Sequence, residues 1–404
     1  CIPSKMMIRG ANLIAEADRV DGMAGHADVT SDFGPVAKRI REEATDNWDD
    51  QVAVDRYTAK GGRFVRGWGR LTGPGQVEVD GNTYEASRVV IGTGTSAVVP
   101  PIDGLRDTPY WTNKEAIEAT EAPESLLVLG GGPIGAELSQ MFARFGTEVT
   151  VIEGADRLVS VEEPESSQLI QEVFEREGIR LHLGEPATRV RHDGESFTVG
   201  VDDTELTGER LLVAVGRRSV LDQLGLDTVG LDPKARAIEV DGHMRAGDGI
   251  WAVGDVTGHG AFTHLATYQA DIAVADILGQ EGPPADYRAQ PHVTFTDPEV
   301  GSVGMTEAQA RDAGISVQTG TAPVPVTTRG WIHKAGNDGF IKLVADADRG
   351  VLVGATSAGP WGGEVMSGLA VAIHGEVPVD RLRHMIYAYP TFHRGIGEAV
   401  KDLG

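Results

Sequence analysis

Residues 125–135 read Ser-Leu-Leu-Val-Leu-Gly-Gly-Gly-Pro-Ile-Gly, and this run restricts the fold more than any other feature of the chain. Five residues dominated by leucine and valine have the length of a strand buried on both faces. They lead directly into Gly130-x-Gly132-x-x-Gly135. Residues 134–145 then carry a helical pattern, and residues 148–152 form a second β-branched run. Strand, glycine turn, helix and strand in this order make a βαβ unit, which requires a parallel sheet covered by helices. In such a turn the first glycine permits the bend and the second lets backbone amides approach a pyrophosphate. The helix N-terminus adds partial positive charge. Glu153 lies 18 residues beyond Gly135 at the end of the second strand. A carboxylate there accepts hydrogen bonds from ribose hydroxyls and repels a 2′-phosphate, which favours NAD over NADP. Arg157 is close enough in sequence to blunt that preference, so NADP stays open as an alternative.

A chain of 404 residues exceeds what one hydrophobic core serves, so two to four domains are expected. Its 53 glycines and 41% hydrophobic content suit an α/β protein with many tight strand-to-helix turns. No apolar run reaches the roughly 18–20 residues of a membrane span, and the start lacks a signal-peptide pattern. A soluble, cytoplasmic protein is expected. The formal net charge of -24 argues against a nucleic-acid partner. Acidic clusters such as Glu162-Glu163-Pro164-Glu165 read as solvated surface. Only eight of the 36 basic residues are lysine, so Lys5 is not drawn from an abundant pool. Cys1 is the sole cysteine, which excludes a disulfide within these residues.

Along the chain, helices are expected over residues 4–20 and 34–48. Residues 63–91 switch to short β-branched runs broken at Gly73-Pro74-Gly75 and at Asp80-Gly81, a hairpin signal, before a buried strand over 88–91. Strands at 199–201 and 211–215 are expected to finish the domain begun at Ser125. A further strand, 250–253, runs into Gly254-Asp255, with a helix over 263–278. Gly282-Pro283-Pro284 marks a linker. Beyond it, strands at 293–295, 339–344 and 350–354 alternate with helices, one opened by the capping box Thr306-Glu-Ala-Gln309 and stopped at Gly314. The junctions Ile91-Gly92-Thr93-Gly94-Thr95 and Val253-Gly254-Asp255 share a form, an apolar strand ending in glycine and a small polar residue. Together they suggest a second nucleotide site, with Asp255 suited to a polyol hydroxyl.

These motifs occur in a particular order. Cys1-Ile-Pro-Ser-Lys5 is followed by Val90-Ile-Gly-Thr-Gly-Thr95, Pro100-Pro-Ile-Asp-Gly104, and Gly130 to Gly135 with Glu137. Val213-Ala-Val-Gly-Arg217, Val253-Gly-Asp-Val256, Thr296-Asp-Pro-Glu299 and Tyr389-Pro-Thr391 come next. The series is similar to the pyridine nucleotide-disulfide oxidoreductases, the lipoamide dehydrogenase and mercuric reductase group. The resemblance implies an α/β fold of two nested Rossmann-like domains, for FAD and NAD, plus a C-terminal α+β dimerisation domain. FAD domain segments would occupy 1–113 and 239–284, the NAD domain 114–238 and the homodimer interface 285–404. In that group a partner cysteine and the first FAD-binding strand precede the position of Cys1. The chain is therefore expected to be N-terminally truncated and to bind FAD poorly by itself.

Residue by residue, the resemblance makes Cys1 the flavin-proximal thiol, its thiolate in charge-transfer contact with oxidised FAD. Lys5 would sit by flavin N5, paired with Glu137. Thr93, Gly94, Gly254 and Asp255 would line FAD, and Gly130, Gly132, Gly135, Glu153 and Gly216 would line NAD. A flavin, a lysine and a helix N-terminus would all lower a cysteine pKa, and the thiolate is the nucleophile. The chain departs from lipoamide dehydrogenases where a histidine and a glutamate serve as acid/base for the dithiol. Tyr389 and Arg394 stand at those positions. Tyrosine is a poor base near neutrality but can donate a proton. His393 is a candidate substitute base. Mercuric reductases carry a C-terminal cysteine pair that this chain lacks. The leading reading is an FAD-dependent NAD(P)H oxidoreductase acting on a dithiol or disulfide, small or protein-borne. A flavin reductase of quinones is the alternative enzyme. A nucleotide-binding redox sensor or scaffold is the non-enzymatic one.

Overall fold

The structure, a computed structural model, describes residues 1–403. The chain falls into two compact units. One joins Cys1–Ala44 and Val99–Val215 to the residues from Tyr287 onward; the other joins Thr45–Val98 to Gly216–Asp286.

In the first unit, strands Arg210–Val213, Ser125–Leu129, Glu148–Glu153 and Arg180–Leu183 pair in that spatial order, all parallel. Successive side chains of a strand point to opposite faces. Leu126 and Val128 accordingly pack with Met7, Ala11 and Phe142 on the helical side. Leu127 and Leu129 pack with Phe197, Val199 and Val201 on the other. This double burial explains the unbroken apolar run. The strand expected at 199–201 forms over Phe197–Val201. Phe197–Val201 does not join the parallel sheet; it is the middle strand of a separate antiparallel sheet with Ala187–His192 and Thr204–Gly208. Its alternate residues Phe197, Val199 and Val201 share one face, which is buried in the core with Leu127 and Leu129.

The Ile2–Asp18 helix buries Met7, Ile8 and Ala11. The helix expected over 34–48 is shorter. Gly34–Arg39 is α-helical, Ile40–Ala44 is a π-turn, and Asp46, Asn47 and Trp48 all have positive φ. Asp and Asn tolerate the left-handed region better than other side chains, and they end the helix there.

The C-terminal part of this unit is a five-stranded antiparallel sheet, ordered Pro291–Thr294, Glu299–Gly304, Val351–Gly359, Phe340–Asp346, Val317–Pro323. Helices Gly362–His374 and Gly395–Asp402 complete its core. Thr306 and Gln309 form both bonds of the expected capping box.

The acidic cluster at 162–165 is only half solvated surface: Glu165 is exposed, but Glu162 and Glu163 are not. Glu162 and Glu163 are each 2% exposed. Glu162 accepts from Ser302 Oγ at 2.6 Å and contacts His292 Nε2 at 2.8 Å. Lys342, itself buried, reaches Glu163 at 3.1 Å, Glu165 at 2.7 Å and Glu307 at 2.9 Å. The counter-charge comes from a strand remote in sequence, which no local charge count detects.

In the second unit, Gly69–Gly73, Gln76–Val79 and Asn82–Glu85 form the expected meander. Asp80 and Gly81, with φ of 48° and 79°, make its tight turn. Val89–Ile91 runs parallel to Ile250–Ala252, over a core that includes Leu71, Leu221, Leu226 and Val256. Helix Thr263–Ile277 follows. Among the described residues no helix is long and apolar enough to cross a membrane.

Candidate active site

The glycine turn has the shape of a phosphate cradle. Gly130 has φ 104°, and a Cβ on it would meet the Ala214 carbonyl at 2.6 Å. A Cβ on Gly135 would lie 1.9 Å from the Gly130 carbonyl, so helix and strand approach too closely for any side chain. At Gly132 the opposite holds, with nothing within 4 Å of a Cβ position. Gly132 is the N-cap of the 12-residue Pro133–Arg144 helix, and no side chain caps that end. Its first amides suit an anion.

Glu153 ends the adjacent strand and is oriented by two backbone amides, Gly131 N–H at 2.5 Å and Ala155 N–H at 2.7 Å. A carboxylate offers about four lone-pair sites, so it retains acceptor capacity. Arg157 turns away from this role. Its guanidinium donates to Glu162 O at 3.0 Å, Ser167 Oγ at 2.6 Å and Ser160 O at 2.6 Å.

One turn further along the same helix, Glu137 is 8% exposed. Lys5 Nζ lies 2.6 Å from its Oε2. The structure thus brings together the two residues paired by resemblance, 132 positions apart. Cys1 is the exposed N-cap of the 17-residue helix that carries Lys5.

Two further residues escaped the sequence reading. Phe295 donates its backbone N–H to Glu137 Oε1 at 2.9 Å and places its ring 4.5 Å from Lys5 Nζ. Gln140 grips Asp297 through both backbone groups, accepting from its N–H at 2.7 Å and donating to its carbonyl at 2.8 Å. Gln140 stands three positions after Glu137, hence on the same helical face. That spacing, and the place of Phe295 just ahead of Thr296-Asp-Pro-Glu299, were the available signals. Asp297 also receives Arg19 at 2.7 Å and Arg144 at 2.9 Å, tying the Cys1-bearing helix to this loop.

In the second unit, Val253 N–H donates to Ile91 O at 3.0 Å, so the two glycine-ended strands finish side by side. Ligands of α/β sheets bind outside such carboxyl ends. Thr93 and Gly94 lie on one exit, Gly94 with φ 67°. On the other, Gly254 has φ 79° and donates its N–H to Gln269 Oε1 at 2.7 Å. Asp255 Oδ2 accepts from Thr95 Oγ1 at 2.8 Å, and among the described residues no other side-chain bond to this carboxylate is formed. A polyol hydroxyl fits the remaining oxygen. Gly216, φ 127°, accepts from Val98 N–H at 2.9 Å.

Near the C-terminus Tyr389 is 66% exposed, and the Arg394 guanidinium lies 5.4 Å from its ring centroid. His393 is turned the other way. Its ring lies 5.9 Å from that of Tyr387, and Cε1 presses on Gly368, where a Cβ would come within 2.3 Å. Burial lowers the His393 pKa below the ordinary imidazole value. Beside them is a cavity of about 450 Å³ lined by Thr327, Arg329, Thr391, Arg394, Glu398 and Lys401.

Residues 1–270 match the family described as pyridine nucleotide-disulphide oxidoreductase, and residues 290–400 match its dimerisation domain. The chain is 34% identical to a dihydrolipoyl dehydrogenase of Haloferax volcanii, over all of this chain and 87% of that protein. It is 35% identical to a mercuric reductase of Streptomyces lividans, over 99% of this chain and 86% of the relative. Among solved structures, the HOCl-induced flavoprotein disulfide reductase RclA of Escherichia coli superposes with a TM-score of 0.86 at 26% identity, covering 99% of this chain and 89% of the other. LpdA of Mycobacterium tuberculosis superposes with a TM-score of 0.86 at 25% identity, covering 100% and 90%.

Proposed function

Because the chain belongs to the pyridine nucleotide-disulphide oxidoreductase family, and so to the FAD-dependent NAD(P)H disulfide oxidoreductases, we propose that it is an NAD-dependent member. The family implies FAD and NAD(P), and the dimerisation domain supports a homodimer. FAD, when bound, would supply two-electron transfer between reduced nicotinamide and a disulfide. In balance, NADH, a disulfide and one proton become NAD⁺ and a dithiol.

The Gly130–Gly135 turn holds the pyrophosphate, and Glu153 takes the adenosine ribose. Arg157 is engaged by three protein oxygens and so does not stand ready for a 2′-phosphate. Gly216 belongs to the nicotinamide side as well. Thr93, Gly94, Gly254 and Asp255 receive the FAD chain. Cys1 is the thiol that faces the flavin, and the positive end of its helix favours the thiolate. A second cysteine, which residues 1–404 do not supply, completes the dithiol. Lys5, fixed by Glu137, sets a positive charge at the flavin and so favours the reduced anion. The 2.6 Å Lys5–Glu137 pair carries this reading, because it brings a helix capped by cysteine against the helix that begins at the glycine cradle.

Anaerobic addition of NADH to the FAD-loaded protein tests it. Bleaching of the visible flavin bands is expected, with a long-wavelength band where the thiolate contacts the flavin. An absorbance that NADH leaves unchanged contradicts it.

The C-terminal end favours a second reading, a flavin reductase of quinones. Tyr389 is exposed and can donate a proton, while His393 packs inward. Rapid turnover of dihydrolipoamide would reject this version, whereas quinone turnover without thiol turnover would support it.

A further inference from the structure

Phe295 touches both members of the Lys5–Glu137 pair by different means. Its backbone N–H fills Glu137 Oε1 at 2.9 Å, leaving Oε2 to the ammonium at 2.6 Å. Its ring meets the same ammonium, 4.5 Å from the centroid. The ring cannot readily withdraw. Glu137 anchors Phe295 itself, and two residues on, Gln140 clamps Asp297 through both its N–H and its carbonyl. One helix therefore fixes this stretch of the loop at two points. Lysine is a flexible four-carbon stem ending in three rotatable donors, and a single carboxylate contact does not fix its direction. A ring face supplies a second restraint, and it attracts the cation electrostatically.

We propose that Phe295 is a positioning residue for Lys5, holding its ammonium aimed so that it acts on the flavin. This rests on the flavin-side role given above to Lys5.

The test uses the full chain and two readouts. Phe295→Leu keeps apolar bulk and the backbone donor but removes the ring face; Phe295→Tyr keeps the face. In the FAD-loaded protein, dye-equilibrated reduction is expected to move about two- to five-fold toward oxidised flavin in Phe295→Leu, the scale of an exposed cation–π contact. Phe295→Tyr should restore the parent value, and the Leu effect should vanish in a Lys5→Met background. A shift of equal size with and without Lys5 overturns the proposal.

The second readout needs no flavin. Acetylation of Lys5 in flavin-free protein, followed by mass spectrometry at fixed pH, is expected to be about two- to five-fold faster in Phe295→Leu than in parent or Phe295→Tyr. Surface Lys114 should label equally in all three. Unchanged Lys5 labelling overturns the proposal even where the flavin reading stands. Failure of NADH to bleach the parent flavin strikes the flavin reading instead, and the labelling result still decides the contact.

Discussion

Lys342 bonds three glutamates from a position 4% exposed, and Glu163 among them is 2% exposed. Removing one partner of a buried pair leaves an uncompensated charge. Lys342→Met is therefore expected to destabilise the protein by about 3–5 kcal/mol in urea unfolding, and a loss below about 1 kcal/mol would show the cluster to be solvated. His393 carries a pH signature. Its folded pKa lies below the ordinary 6.5, so the stability it supports is complete above that value and is lost as pH falls from 6.5 through the folded pKa. His393→Gln should flatten the acid side of the stability profile while leaving alkaline stability less dependent on pH than the parent's acid side. An unchanged acid slope would mean that the imidazole is solvated. Neither residue was legible from sequence in this role. The partners of Lys342 lie far away along the chain, and the proximity of His393 to Arg394 and Tyr389 suggested a base when the ring in fact packs on Gly368.

At the scale of elements, the glycine cradle was the most legible part of the chain. Strand, turn and helix are local, and each glycine answers to a distance. Gly132→Ala places a methyl in open space, so it should fold with stability within about 0.5 kcal/mol of the parent yet bind NADH at least about ten-fold more weakly. Gly135→Ala drives a methyl against the Gly130 carbonyl and should lose both stability and binding. Thermal unfolding and NADH titration of the two variants separate these outcomes; equal behaviour would mean that Gly132 does not face the nucleotide. Elements set by distant packing were less legible. The 34–48 helix ends early because Asp46, Asn47 and Trp48 enter the left-handed region. The 199–201 segment joins a second sheet because Phe197, Val199 and Val201 cover the far side of the parallel one. Short apolar runs do not reveal which sheet they enter.

For the whole molecule, the ordered motif series carried most of the architecture, because each motif marks a strand end or a helix start. What it could not carry were the contacts between distant segments, such as Phe295 on Lys5 and Gln140 on Asp297. The dimerisation domain over 290–400 leads to an expected homodimer in sedimentation equilibrium, and a monomer across the accessible concentration range would contradict it. The nicotinamide choice joins Glu153, Arg157 and the Lys5–Glu137 pair in one observable. The most direct measurement is an anaerobic titration of the FAD-loaded protein with NADH and, separately, NADPH, following the visible flavin absorbance. NADH is expected to bleach the flavin at a concentration at least about ten-fold lower than NADPH, the factor of about 1.4 kcal/mol that repulsion by Glu153 readily supplies. Preference for NADPH, or a flavin that neither nucleotide reduces, would contradict the account.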